Sequence, residues 1–286
     1  MTQVLPENEE AQRAWDGVLF ERFLRFRHLI VALAQHGEVA MRRFPPPEGA
    51  RVVDLGCGFG DSSLQLAELT GPGGSVLGVD ISPRFVEAAR ADAETSGATN
   101  VRFAAMDVQA SSFDERFDYA FSRFGTMFFA NPVAALRNVH RALEPGATLV
   151  MVVWRRREDN EWIHVAEQVV KPLVEIPEET DEARCGPGPF SMAGADTVST
   201  ILQSSGFRDV SFLRSDLPIR LGADLDEAVE FNLALGPAAE AVRLAGEEGD
   251  AMRPKLAALL RDALARFETP AGVVARSSVW VVHASA

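Results

Sequence analysis

The segment Val52-Val53-Asp54-Leu55-Gly56-Cys57-Gly58-Phe59-Gly60 runs from apolar residues into glycines at alternate positions. Glycine lets a chain turn sharply after a strand and brings main-chain atoms close to a ligand, because no Cβ intervenes. In open parallel sheets, ligands bind beyond the carboxyl ends of the strands, where such a turn lies. A dinucleotide turn reads G-x-G-x-x-G and sets a pyrophosphate on the N-terminus of the next helix. Here Gly60 falls one residue early and Asp61 follows it. A carboxylate at that helix start repels a pyrophosphate, an objection that does not touch an adenosine cofactor without phosphate.

The acids downstream fit an adenosine. Asp80 ends the second apolar run, twenty positions after Gly60. A carboxylate there accepts from both ribose hydroxyls, its structural alternative being a helix-capping acid. Asp107 follows the third run, placed to accept from an adenine amino group with Val108 beside the ring, or else to serve a turn. Ser122-Arg123-Phe124-Gly125-Thr126-Met127-Phe128-Phe129 follows the fourth run. Arg123 is either the partner of a carboxylate or a surface arginine. Phe124, Met127, Phe128 and Phe129 divide between an apolar acceptor wall and core.

These segments resemble the class I S-adenosylmethionine (SAM)-dependent methyltransferases, in particular the branch of ubiquinone and menaquinone biosynthesis. The resemblance rests on residues 52–60, Gly-Val-Asp-Ile-Ser at 78–82 and Ala-Met-Asp-Val at 105–108. Phe-Asp-Tyr-Ala-Phe-Ser at 117–122 and Leu-Glu-Pro-Gly-Ala at 143–147 complete it. It covers roughly residues 50 to 155 in family order and spacing. It implies an α/β Rossmann-like sheet of seven mostly parallel strands with the last antiparallel, plus a helical cap. It also implies SAM as cofactor and S-adenosylhomocysteine as product. Gly56, Gly58 and Gly60 would line the methionine part, and Asp80 the ribose. Asp54, Ile81, Asp107, Val108 and Ser122 complete the expected cofactor set. In similar enzymes the segment after the fourth strand lies between the methyl group and its acceptor.

Methyl transfer from a sulfonium asks mainly for alignment and dryness, and for a base only if the acceptor must lose a proton. His164 and Arg123 are the catalytic candidates, with His28 behind them; His140 and His283 read as structural. Cys57 is explained by its place in the glycine turn. Trp15, Phe124, Met127, Trp162 and Phe190 are the expected acceptor pocket. The competing readings are a protein methyltransferase and a NAD-dependent oxidoreductase. Asp61 speaks against the second, and a binding protein that holds SAM without transferring it stays open.

The elements that must position these groups follow from periodicity. Residues 11 to 44 read as one helix, with Trp15, Leu19, Phe23, Phe26 and Ile30 on one face, and Pro45-Pro46-Pro47 breaks it. Strands are expected at 51–55, 76–79, 101–106, 117–121 and 148–154, with helices at 61–70, 82–96 and 131–143 between them. Ser82-Pro83 and Asn131-Pro132 are helix starts. A helix at 193–205, a strand at 207–214, a helical stretch at 224–267 and a closing strand at 273–283 follow. The expected organisation is a helical lid at 1–48 and a SAM-binding domain at 49–286. Cap insertions are expected at about 156–193, with the loop Cys185-Gly186-Pro187-Gly188-Pro189-Phe190, and at about 222–270. Such insertions build an acceptor pocket, bury one another, or form a homodimer interface.

Composition narrows the partners. Of 286 residues 47% are hydrophobic and 24% charged, an ordinary globular balance, and the net charge is −13. That charge disfavours nucleic acid, though not a protein substrate, and the expected partner is a small-molecule substrate. Two cysteines, scattered histidines, an acidic start and no apolar run near ~20 residues fit a cytoplasmic protein with reduced thiols, no metal and no membrane span.

Overall fold

The computed structural model describes residues 4–173 and 188–286. Its sheet is built from β1 (Arg51–Leu55), β2 (Ser75–Asp80), β3 (Val101–Ala105), β4 (Phe117–Arg123) and β5 (Leu143–Trp154), all parallel. β6 (Arg208–Gly222), a two-residue β7 (Glu268–Thr269) and β8 (Gly272–Ser285) complete it. The path is β3-β2-β1-β4-β5-β8-β6, and β7 pairs with β8 off the path. β8 is antiparallel to both β5 and β6. The seven-stranded mixed sheet is therefore present along the path, and β7 raises the total to eight.

The strand residues explain the layering. Val52, Val53, Leu55, Val76 and Val79 have 0 or 1% exposure, which requires cover on both faces. α5 (Asp61–Thr70), α6 (Pro83–Ser96) and α7 (Pro132–Ala142) supply crossovers. Ser82 Oγ accepts from Phe85 N at 3.4 Å, and Asn131 Oδ1 accepts from Ala134 N at 3.0 Å. Both helices begin with proline, as expected. Strand order reverses between β1 and β4, which opens a crevice at their carboxyl ends.

The outer segments depart from the expectation. Residues 11 to 44 are a broken path of α1 (Pro6–Ala14), α2 (Phe20–Arg25), α3 (Arg27–Ile30) and α4 (Ala34–Arg43). Gly17 takes φ −110°, ψ −109°, and Phe26 takes φ −103°, ψ 21°, so the chain bends over the crevice. The apolar spacing survives the bends, which is why it reads as one helix. β6 runs to Gly222, well past Arg214, because β8 pairs with it throughout. Pro218 is tolerated there because β6 lies at the sheet edge.

α8 (Glu161–Val170) and α9 (Ala195–Ser204) lie between β5 and β6. The helical stretch before β7 divides into α10 (Leu225–Ala234) and α11 (Pro237–Leu264), broken at Gly236 with φ 109°. Cys185, Gly186 and Pro187 lie outside the described residues. No helix among the described residues is long and apolar enough to cross a membrane.

Candidate active site

The glycine turn serves two purposes. Gly58 takes φ 54°, and a Cβ built on it meets nothing within 4 Å, so this residue opens onto space. A Cβ on Gly60, at φ 82°, would lie 2.9 Å from Ala89 Cβ and from the Phe103 ring. Gly60 therefore packs against α6 and β3 and does not line the cavity above the turn, contrary to the sequence expectation. Gly56 abuts the segment after β4, since its Cβ would come within 2.7 Å of Gly125 Cα.

The acids take different stations. Asp54 is fully buried, and its Oδ2 accepts from Ser62 Oγ and Ser63 Oγ, both at 2.7 Å. It ties β1 to the first turn of α5 from behind the cavity and does not line it. Burial pushes its carboxyl up to about 6, against the pull of the two serine hydroxyls and Arg123. Ser122 also sits behind the wall, donating to Leu55 O at 2.8 Å. Asp80 and Ile81 do line the cavity. Asp80 Oδ2 accepts from Gly58 N and Oδ1 from Ser82 N, each at 3.0 Å. Burial raises its carboxyl, while these backbone donors pull it down.

The N-terminal segment is fastened to the same strand ends. Asp107 Oδ2 accepts from Asn8 Nδ2 at 2.8 Å and Leu5 N at 3.1 Å, and Oδ1 from Gln109 N at 2.9 Å. Gln12 Nε2 donates to Ile81 O at 3.2 Å. Asp16 Oδ1 accepts from Ser82 Oγ at 2.7 Å and Arg84 N at 3.0 Å, adding a second cap to α6. The sequence reading missed these three residues. Their signal was available: 8, 12 and 16 recur every four positions, a polar stripe beside the apolar one.

Above the turn lies a cavity of about 380 Å³. Gly56, Gly58, Asp80, Ile81, Asp107 and Val108 line it on the sheet side. Trp15, Phe124, Met127, Trp162 and Phe190 also line it, so the expected pocket residues converge from four separate segments. Trp15 meets Phe128 edge-on at 4.8 Å and Phe23 at 5.3 Å. Phe124 stacks on Trp154 at 4.3 Å, and Trp154 meets Trp162 at 5.8 Å. Phe124 holds φ 62°, a strained conformation for a bulky residue, and lies directly after Arg123.

Arg123 lines the cavity beside the glycine turn, its side chain only 10% exposed. Its Nη2 donates to Asp61 Oδ2 at 2.7 Å, while Nη1 is buried without a partner. The absent Cβ of Gly37 on α4 makes room for its Cδ, which would lie 3.2 Å away.

His164 does not reach this cavity: it lines a different depression, with Asp262 and Arg266. The helical phase of α8 decides this, turning Trp162 and Ile163 inward and His164 away. His28 is exposed, 2.8 Å from Glu227 Oε1, and is not in the cavity wall. His140 packs edge-on against Phe207, and His283 stacks on Phe44 at 4.6 Å. His36 went unmarked in the sequence and is fully buried. Its Nε2 lies 2.7 Å from Ser277 Oγ. That hydroxyl gives its own proton to Leu217 O, so Nε2 carries the hydrogen and Nδ1 is the bare nitrogen.

Comparison with known proteins places this arrangement. A family model described as a methyltransferase domain matches residues 47–192. Aklanonic acid methyltransferase DauC of Streptomyces sp. (strain C5) is 34% identical over 36% of this chain and 48% of its own length. Demethylmenaquinone methyltransferase of Geobacillus kaustophilus is 30% identical over 46% and 53%. The chain spans about half the length of the curated relatives it matches. Among solved structures, the YcgJ protein of Bacillus subtilis superposes with a TM-score of 0.56 at 18% identity, over 87% of this chain and 97% of that one. This likeness shows a shared fold. The family match spans the sheet core and the glycine turn together, and the chain belongs to the methyltransferase-domain family that its motifs resemble.

Proposed function

We propose that this protein transfers a methyl group from SAM to a small organic acceptor. The observation that carries the reading is the pairing of Asp80 with Gly58: a carboxylate facing the cavity at the end of β2, anchored by the N–H of a glycine whose missing side chain leaves open space. That cradle suits a ribose. Asp107 and Val108 stand one strand further along, suited to an adenine. Arg123, with Nη1 unpartnered and Asp61 beside it, suits the carboxylate and ammonium of an amino acid. When bound, SAM supplies a methyl carbon already made electrophilic by its sulfonium.

The chain's own work is to align and to dry. Phe124, Trp154 and Met127 wall the space beyond the glycine turn, and the N-terminal segment closes it from above. Excluding water and fixing the approach are the main contributions such a reaction needs. The names of the relatives, for aklanonic acid and demethylmenaquinone, favour a small organic acceptor. The net charge of −13 disfavours a nucleic-acid acceptor.

Calorimetric titration with SAM, S-adenosylhomocysteine and NAD tests the reading, alongside Asp80→Ala. SAM or its product should bind, and the variant should lose at least tenfold in affinity, as expected for hydrogen bonds to a charged group. Binding of NAD alone, or of no adenosine ligand, would overturn it.

A further inference from the structure

We propose that Trp162 selects the acceptor by donating its indole N–H to a carbonyl or phenolic oxygen of a planar aromatic molecule. The proposal rests on the methyl-transfer reading and deepens it. Trp162 is 8% exposed and is one of the residues of the cavity wall, and its buried Nε1 has no hydrogen-bond partner. A buried, unmet N–H is uncommon and costs stability unless something accepts from it. The fold does satisfy another indole: Trp280 Nε1 donates to Ala193 O at 3.0 Å. Of the three tryptophans in the cavity wall, Trp162 is the one whose indole nitrogen is buried and unmet.

The surroundings define what it meets. Leu33, Phe124, Trp154, Ile163, Phe231 and Leu235 share this cavity and carry no charge. Trp162 meets Trp154 edge-on at 5.8 Å and lies tilted by 31° to Phe231 at 6.2 Å. Rings presented this way favour a flat aromatic guest, through stacked and edge contacts. The charged groups of the cavity already have partners: Arg123 donates to Asp61 at the glycine turn, and Asp80 and Asp107 accept from backbone N–H groups at the ends of β2 and β3. An indole N–H donates and cannot accept. This end therefore favours a neutral oxygen acceptor and disfavours an ammonium or a sugar rich in hydroxyls.

The test uses the full chain, ¹⁵N-labelled and saturated with S-adenosylhomocysteine, with 1-indanone and indane as probes. The two probes share a fused ring frame and differ by one carbonyl. The Trp162 indole signal is assigned by its loss in Trp162→Phe, which keeps an aromatic ring and removes the N–H. Indanone should move that signal downfield, and indane should not. Trp162→Phe should weaken indanone about tenfold while leaving indane and S-adenosylhomocysteine unchanged. An equal response of the signal to both probes, or equal weakening of both, would reduce Trp162 to an apolar wall and overturn the proposal. S-adenosylhomocysteine binding with neither probe bound would overturn the acceptor class and leave the methyl-transfer reading standing. Failure of S-adenosylhomocysteine itself to bind would defeat that reading and the proposal with it. If the variant does not fold, Trp15→Phe, Trp154→Phe and Trp280→Phe assign the other three indole signals, and the remaining wild-type signal decides.

Discussion

Asp54→Asn should change how the stability of this protein responds to acid. Two buried groups titrate against each other. Burial pushes the Asp54 carboxyl from 3.8 up to about 6, so the folded state holds that proton more tightly than the unfolded chain. Its stabilising contribution is present at low pH and is lost as pH rises through about 6. His36 behaves oppositely: burial, helped by the charge of Arg123, lowers it from 6.5 to about 4. Its contribution is present above 6.5 and is lost as pH falls towards 4. Each shift of roughly two units corresponds to about 3 kcal/mol, so the two nearly offset between pH 4 and 6. Asparagine retains an oxygen for Ser62 and Ser63 but cannot titrate. Its uniform cost is the same at every pH, and the exposed carboxylates behave alike in both proteins. The unfolding free energy of Asp54→Asn should therefore fall relative to wild type by about 3 kcal/mol from pH 6.5 to 4. Urea denaturation followed by tryptophan fluorescence, in steps of half a pH unit without ligand, measures this. Parallel stability profiles for the two proteins across that range would refute the reasoning.

Other outcomes follow from the same geometry. Gly60→Ala must fit a Cβ 2.9 Å from Ala89 and Phe103 at a positive φ, and should cost about 1–3 kcal/mol in chemical denaturation. Asp16→Ala removes the N-terminal segment's hold on Ser82 and Arg84; steady-state kinetics should show KM for SAM raised several-fold with kcat less affected, and the melt about 1 kcal/mol weaker. His164→Ala should leave kcat and KM within about twofold of wild type, because the ring lies outside the cavity; a drop of a hundredfold would restore it as a base.

Much of the parallel core was legible along the chain because its signals are local. Apolar runs ending in glycine or aspartate mark β1, β2 and β3, and Ser82-Pro83 and Asn131-Pro132 mark helix starts, each within a few residues. The full length of β6 was not legible. Residues 214–218 read as Arg-Ser-Asp-Leu-Pro and become strand only because β8 supplies the ladder. The bends at Gly17 and Phe26 were hidden by an apolar spacing that a bent path keeps as well as a straight one does.

For the site, the residue types at the strand ends were settled by sequence: Asp80, Asp107 and the glycines after β1 follow from how a strand must stop and turn. Tertiary structure alone decided which of them face the cavity. Asp54 and Asp80 are alike in composition, yet one is clamped behind α5 by two serines and the other looks outward. It also decided that Trp162 and Ile163 turn inward while His164 turns away, and that His36 meets Ser277 across 241 residues of chain. The physical reason is that propensity and periodicity act over one or two turns of backbone. Burial, and the partner each polar atom finds, are set by the packing of segments far apart in sequence.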